Sequence, residues 1–382
     1  LLAEDIHYPH IDAVLYHVGM ILSEAGEPAG ADTLRRLVAD HPASPFVQEA
    51  TLRLAEDALA AHDYAAAAPL LTRAADGADP ALRVVALYRL GWTRSGQERY
   101  EEASVAFRRL LDEYAAGRPI LLKTDLRAEA VDCLVQCLAR AGGAPAFDAV
   151  FGAGADATAR PYAPDLLDRL AGTLHEASLY RDAIAADQLY LARYPTEPRA
   201  LAVAARVLDS YGQWNQADGL LAARETIGTR FAPGSDWARG QLPDSLKKAG
   251  AEFARVALAD AAVEHHRRAR AAGDGAAGWA RAADLYSRLL RLWPDHADAP
   301  RLQLYAGEVA EKQALPADAR AHYDRAAAAD TAEWGTEALW CRARLLLAAE
   351  EPGRAAVDLA TYRARAAAPP ERALPALDLE ID

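Results

Sequence analysis

The chain has 382 residues, longer than a single compact core usually organises, since cores stop growing near about 250–300 residues. Hydrophobic residues make up 52% of it, which excludes wholesale disorder, and the Ala-rich, β-branched-poor composition excludes much sheet. The formal net charge is −13 and no window carries a basic stripe, so the counterion-releasing surface that nucleic acid binding needs is missing.

In chain order, the sequence reads as one helical hairpin after another. Val14, Leu15, Val18, Ile21 and Leu22 form an apolar stripe at helical spacing. Gly26-Glu27-Pro28 makes a turn, and the second helix stops at His41-Pro42. Ser44-Pro45 suits the next helix start. In that unit Leu54-Ala55 is followed by Tyr64, Ala67 and Leu71. The clearest unit spans 84–115: Leu90-Gly91 on one helix, then Tyr100, Ala103 and Phe107 on the next. Small residues at Gly91 and Ala103 let two helices approach closely, and the aromatic closes the pair.

A helix over about 122–140 follows. Gly142-Gly143-Ala144-Pro145 and Gly152-Ala153-Gly154 then interrupt the pattern, so 141–162 reads as a degenerate repeat or a joint. The pattern resumes at Ala163 with Leu170-Ala171, Tyr180, Ala183 and Tyr190, and closes at Tyr194-Pro195. Ala205, Trp214, Ala217 and Leu221 are read as the next unit. Phe231 to Trp237 is a turn-rich loop with two aromatics, and a long helix over about 244–271 carries His265-His266. Trp279, Ala282, Tyr286 and Trp293-Pro294 restore the pattern, so the insertion around 231–270 lies inside a repeat. Tyr305-Ala306-Gly307 pairs with Ala319 and Tyr323, and Trp340 and Ala343 with Ala355 and Leu359. After Pro369-Pro370 the tail is acidic.

This spacing resembles the tetratricopeptide repeat (TPR) family, whose helix–turn–helix unit is about 34 residues long. The resemblance covers about residues 11–366. It implies an all-α fold, an α/α superhelix (a right-handed solenoid) of about eight hairpins with one insertion. The organisation expected is N-terminal repeats over 1–140, the segment 141–162, C-terminal repeats over 163–366 and an acidic tail over 367–382. The endings His41-Pro42, Tyr194-Pro195 and Trp293-Pro294 look like the bacterial envelope branch of the family. The insertion also looks like large TPR proteins of myxobacterial envelope and gliding assemblies.

In TPR proteins the first helix of each hairpin lines a groove that reads ligands beside the Leu-Gly positions. Carried onto this chain, the resemblance implies groove residues Tyr88 and Trp92, Arg206 and Asp209, Glu308 and Glu311, and Trp340 and Arg344. The Lys/Asn clamp of the family's chaperone-tail binders has no counterpart at these positions. Tyr88 and Trp92 have the character of interface anchors, though packing between repeats would also account for them. Six of the seven Trp lie at or after Trp214, which packing between repeats explains more simply than a binding surface.

Catalytic and metal signatures are not found. His7, His10 and His17 cluster near the start, but no HExxH or CxxC motif exists, and adjacent His265 and His266 point away from each other on a helix. There is no nucleophile elbow, Walker loop or dinucleotide fingerprint. Cys133, Cys137 and Cys341 lack framework spacing, and the first two read as small buried hydrophobes. No apolar run reaches the about 18 residues of a membrane span. Residues 1–60 are acidic, with only Arg35, Arg36 and Arg53 as cations. A solvated face explains this, or a docking end for a basic partner. The start at Leu1-Leu2-Ala3-Glu4, without Met, reads as a processed chain or a fragment, and a signal peptide or lipid anchor would precede it. Few Lys against many Arg, with abundant Ala, fits a GC-rich bacterial source.

The sequence therefore predicts a non-catalytic protein–protein interaction scaffold with no cofactor, holding a protein or peptide segment in its groove, in the bacterial periplasm or envelope, with cytoplasm as the alternative. A structural segment of a longer solenoid is the second reading, and an enzyme with an unrecognised site the third.

Overall fold

A computed structural model describes residues 9–152, 160–271 and 276–365. The acidic tail expected over 367–382, His7 and the Gly273-Asp274-Gly275 breaker lie outside them. The described residues are helical with no strand. The chain divides into two compact units, Leu1–Pro195 and Thr196–Asp382.

The first unit holds α1 (Ile11–Glu24), α2 (Pro28–Asp40), α3 (Val47–Ala60), α4 (Tyr64–Ala75), α5 (Pro80–Gly96), α6 (Tyr100–Ala115), α7 (Arg127–Arg140), α8 (Ala144–Phe151), α9 (Ala163–Glu176) and α10 (Tyr180–Arg193). Consecutive helices pair, and pairs stack through α2 on α3, α4 on α5, and α6 on α7. The segment 141–162 supplies α8, which packs on α6, α7 and α10. Ser44-Pro45 precedes the start of α3 by a turn: Ser44 Oγ donates to Asp12 Oδ2 (2.7 Å) and accepts from the Phe46 amide (3.3 Å).

The second unit holds α11 (Ala200–Gln213), α12 (Ala217–Phe231), the short α13 (Asp236–Arg239), α14 (Asp244–Ala271), α15 (Ala276–Leu292), α16 (Ala299–Lys312), α17 (Pro316–Ala329), α18 (Glu333–Ala348) and α19 (Pro352–Ala364). The long helix α14 is the first member of a hairpin with α15 and also packs along α12. Its N-terminal half is fixed by Trp237, which is 1% exposed. The Trp237 ring meets Phe231 edge-on at 4.8 Å and fills the space that a side chain at Gly250 would occupy.

One turn recurs in both units. Gly26, His62, Glu98, Gly142, Ser178, Asn215, Ala314 and Glu350 all have positive φ and sit between the helices of a hairpin. After each, the next amide donates back to the end of the first helix: Asp63 N to Ala58 O, Arg99 N to Arg94 O, Leu179 N to Leu174 O and Leu315 N to Ala310 O, all at 2.9 Å. This is the Schellman bond that closes a helix end. Six of these positions are not Gly, although an L-residue in the left-handed region costs about 1–2 kcal/mol. All six are exposed, so the turn makes no demand for a buried side chain there.

The turn fixes which residues face each other. Counted from Glu98, Gly91 meets Phe107, and a Cβ on Gly91 would lie 2.5 Å from the Phe107 ring. Gly307 and Tyr323 make the same contact at the equivalent place. The hairpin of α11 and α12 departs from the sequence reading. The same count from Asn215 selects Leu208, while Ala205 and Ala217 are exposed. There the small partner is Gly219, against which Tyr211 packs. The Ser178-to-Asn215 interval exceeds the family period, so the Ala183–Ala217 match lands on the first residue of α12.

Two consequences can be measured by chemical denaturation. Gly91→Ala should cost about 1–3 kcal/mol, because Phe107 is fully buried and has nowhere to retreat. Ala314→Gly should stabilise by about 0.5–1 kcal/mol, the relieved strain outweighing the entropy added to the unfolded chain. A destabilised Ala314→Gly variant would show that the turn is not strained.

Candidate interaction groove

Tyr88 and Trp92 lie one turn apart on α5, and the structure brings them together, ring centroids 6.4 Å apart and edge-on. Their environments differ. Tyr88 also meets Phe107 edge-on at 6.5 Å, and its hydroxyl donates to Glu129 Oε1 on α7 at 2.5 Å. Burial, reinforced by that bond, raises its phenol pKa. Tyr88 thus ties two hairpins together. Trp92 makes no such tie and is 49% exposed.

Trp92 stands over a cavity of about 350 Å³ between α5, α6 and α7, lined also by Phe107, Gln136, Arg140 and both Cys133 and Cys137. The Arg140 guanidinium lies 5.5 Å from the Tyr100 ring centre and donates to its hydroxyl at 3.1 Å, closing one side. Burial pushes the Cys133 thiol up to about 11 and also raises Cys137. Both stay protonated at neutral pH and serve as apolar floor. Cys137 is buried as expected, whereas Cys133 is only half-buried and faces the cavity.

A second cavity of about 340 Å³ continues from α7 onto α9 and shares Asp132 and Gln136 with the first. Its far wall is Arg169, Gly172 and Glu176. Arg169 donates to Asp132 at 2.8 Å across the gap. The first helices of successive hairpins, α5, α7 and α9, therefore present one open groove, aromatic at one end and charged at the other. The residues on α7 and α9 were missed in the sequence. Gln136 and Gly172 stand at the same offset before Gly142 and Ser178 as Trp92 before Glu98, a relation visible only once the turns are known.

The remaining expected groove residues lie in the second unit. Glu311 accepts from the Tyr323 hydroxyl at 2.7 Å and stands 3.7 Å from Arg344, so it joins α16, α17 and α18. Trp340 packs on Tyr362, centroids 5.5 Å apart. Glu308 is half-buried, and burial raises its carboxyl pKa. Arg206 is half-buried on α11, and Asp209 on the same helix is exposed. Asp209, Glu308 and Arg344 share the Trp92 offset, whereas Arg206 does not. The sequence reading placed both α11 residues by counting from Ala205.

A buried polar cluster in this unit was not anticipated. His266 on α14 is 7% exposed and surrounded by Trp279, Tyr286 and Tyr305, with ring centroids at 5.4, 6.0 and 5.8 Å. Its Nδ1 lies 3.3 Å from the Tyr286 hydroxyl, and its Nε2 lies 3.6 Å from Glu308. His265 turns instead to Glu225, with Nε2 2.6 Å from Oε1. No group of three or more metal-ligating side chains converges among the described residues.

No known family profile matches the chain, and no curated protein matches it. Solved structures similar to it include the TPR domain of P58(IPK), at 18% identity, covering 96% of this chain and 98% of that one, with a TM-score of 0.28. A tetratricopeptide repeat protein from Parabacteroides merdae aligns at 15% identity over 88% and 99%, TM-score 0.28. The yeast Sti1 TPR2AB domain, solved with pHSP90, aligns at 11% identity over 88% and 98%, TM-score 0.28. Alignments at these scores fix no superposition, and the hairpins themselves define the fold. The chain is an all-helical repeat protein of stacked antiparallel hairpins. With small-residue and aromatic contacts such as Gly91–Phe107 and Gly307–Tyr323, its repeats are TPR-like.

His266 gives the second unit a pH dependence. Burial, aided by Arg270, lowers its pKa from 6.5 to about 4. As pH falls the unfolded chain takes up this proton first. The contribution of His266 to stability is thus complete above about pH 6.5 and drains away towards pH 4, by roughly 3 kcal/mol at the limit. Glu308 acts in the opposite sense, since its raised pKa favours the folded state on protonation. The thermal midpoint should fall more steeply between pH 6.5 and 4 in the wild type than in His266→Gln; parallel curves would remove His266 as the cause.

Proposed function

We propose that this chain is a non-catalytic scaffold that holds a segment of a partner protein in the groove formed by α5, α7 and α9. The observation that carries this reading is Trp92: a large ring, 49% exposed, held edge-on by Tyr88 over an open cavity whose floor is already built. Rigid, half-exposed aromatics beside pockets are the usual hot spots of protein interfaces. A preformed groove spares the partner much of the ordering cost on the receptor side. Trp92 supplies apolar anchorage, while Asp132, Arg140, Arg169 and Glu176 offer polar partners to a bound backbone or side chain. The exposed Asp209 and Arg344 extend the list of candidate contacts in the second unit.

The setting we propose is the bacterial envelope, supported by the endings His41-Pro42, Tyr194-Pro195 and Trp293-Pro294, which directly follow α2, α10 and α15. Among the described residues no helix is long and apolar enough to cross a membrane. Fractionation of the native cell tests the setting, and a cytoplasmic pool alone would reject it. A second reading, a segment of a longer solenoid, draws on Ile21, which is 65% exposed on α1.

The groove is tested by crosslinking and affinity measurement together. A photo-crosslinker at Gln136 should capture the partner, and the captured protein should bind Trp92→Ala at least about 30-fold more weakly, the effect of a hot-spot residue worth about 2 kcal/mol. Tyr88→Phe should have a smaller effect on binding while loosening α5 from α7. Unchanged affinity in Trp92→Ala would move binding away from this groove.

A further inference from the structure

A different kind of site lies in the second unit. The end of α15, the loop after it, the start of α16 and the body of α17 enclose a cavity of about 480 Å³. Its polar lining includes Arg291, Gln303, His322 and Arg325, and its apolar wall includes Leu290 and Pro300. No carboxylate lines it.

The two arginines differ from several others in the same unit. In the same unit Arg255 is bound to Glu252 and Asp298, Arg281 to Glu225, and Arg342 to Asp324 and Asp358. Arg291 and Arg325 have no acidic partner among the described residues, although the chain carries a net charge of −13. Two unneutralised guanidinium groups thus share one concave surface in an acidic protein. The third polar group is pre-positioned. His322 Nδ1 lies 2.6 Å from Gln303 Oε1. With Nδ1 donating there, Nε2 is the nitrogen left for a ligand; burial and the neighbouring Arg325 lower the His322 pKa, so the neutral ring accepts there from a ligand O–H group. Asp318, one turn earlier on α17, is the nearby acid that acts electrostatically on His322, and it does not line the cavity.

We propose that this cavity binds a phosphate monoester or free phosphate. Guanidinium forks match the oxygens of carboxylates and phosphates alike. The charge selects between them: two guanidinium groups exceed what one carboxylate neutralises, whereas a phosphate monoester carries about −1.5 to −2 at neutral pH. Leu290 and Pro300 offer apolar surface to the carbon side of an ester. The proposal does not rest on the groove, which belongs to the other unit.

The test is calorimetric titration of the full chain with inorganic phosphate and with a phosphoserine tetrapeptide, at ionic strength held constant with chloride. Saturable binding of one equivalent is expected, weakened at least about tenfold in Arg291→Ala/Arg325→Ala, since both charge-assisted contacts to the anion are lost. Both side chains are exposed, so the double variant should keep the wild-type thermal midpoint. Arg291→Gln alone gives an intermediate loss if the double variant does not fold. Arg118→Ala, an exposed arginine of the first unit, should bind like the wild type. Tighter binding of the peptide identifies a partner-borne ester as the source, and equal binding identifies free phosphate. No saturable binding of either probe, unchanged affinity in the arginine variants, or acetate binding as tightly as phosphate would overturn the proposal.

Discussion

The structure depends on one backbone device, the positive-φ turn that recurs between the helices of hairpins in both units. Its reverse hydrogen bond, such as Arg99 N to Arg94 O at 2.9 Å, ends the first helix and aims the second. The close helix contacts within those hairpins are counted from it. Gly91 faces Phe107 because both stand at fixed offsets from Glu98, and the same offsets bring Gly307 to Tyr323 from Ala314. The hydrophobic effect supplies the driving force, but the turn decides which apolar residues meet. The left-handed strain at six non-Gly positions is small beside the burial of rings such as Phe107 and Tyr323 that it makes possible.

The same offsets separate fold from function on α5. Tyr88 and Trp92 have similar chemistry and lie one turn apart, yet one is tied to Glu129 across the hairpin stack and the other is left half in solvent. In the second unit the Trp92 offset carries charges at Asp209, Glu308 and Arg344, and charged side chains of these helices are used internally. Glu311 braces Tyr323 and Arg344, and Glu308 lies against the buried His266. Aromatic content therefore does not locate binding: Trp237 and Trp279 are almost fully buried, and their rings fill space between helices.

The hairpins and the long helix over 244–271 were legible in the sequence because each rests on strong, local signals: apolar periodicity, Pro at helix starts and the small-to-aromatic pairing. The register of α11 and α12 was not. Asn215 turns the chain without a Gly to mark it, so Ala205 and Ala217 fit the pattern by composition while facing solvent. Gly142-Gly143, read as an interruption that is either a degenerate repeat or a joint, contains the turn residue linking α7 to α8. Without that turn to count from, Gln136 and Asp132 were not singled out in the sequence. The buried His266 cluster was invisible for another reason: its partners come from the next two helices, α15 and α16, at spacings that no local motif marks.

The length of α14 has a mechanical meaning. Ordinary repeat arrays unfold piecemeal, because each hairpin touches only its neighbours. This helix runs for 28 residues, about 42 Å at 1.5 Å per residue. Near its start Gly250 receives Trp237, in its middle Leu258 presses on Gly228 of α12, and towards its end His266 and Ala269 receive Trp279 and Gly278 of α15. It acts as a splint across what would otherwise be separable repeats. Fraying that starts at α19 can travel hairpin by hairpin until it reaches this element, where the next step requires α12, α14 and α15 to part together. The insertion thus turns the middle of an extensible array into a single cooperative block.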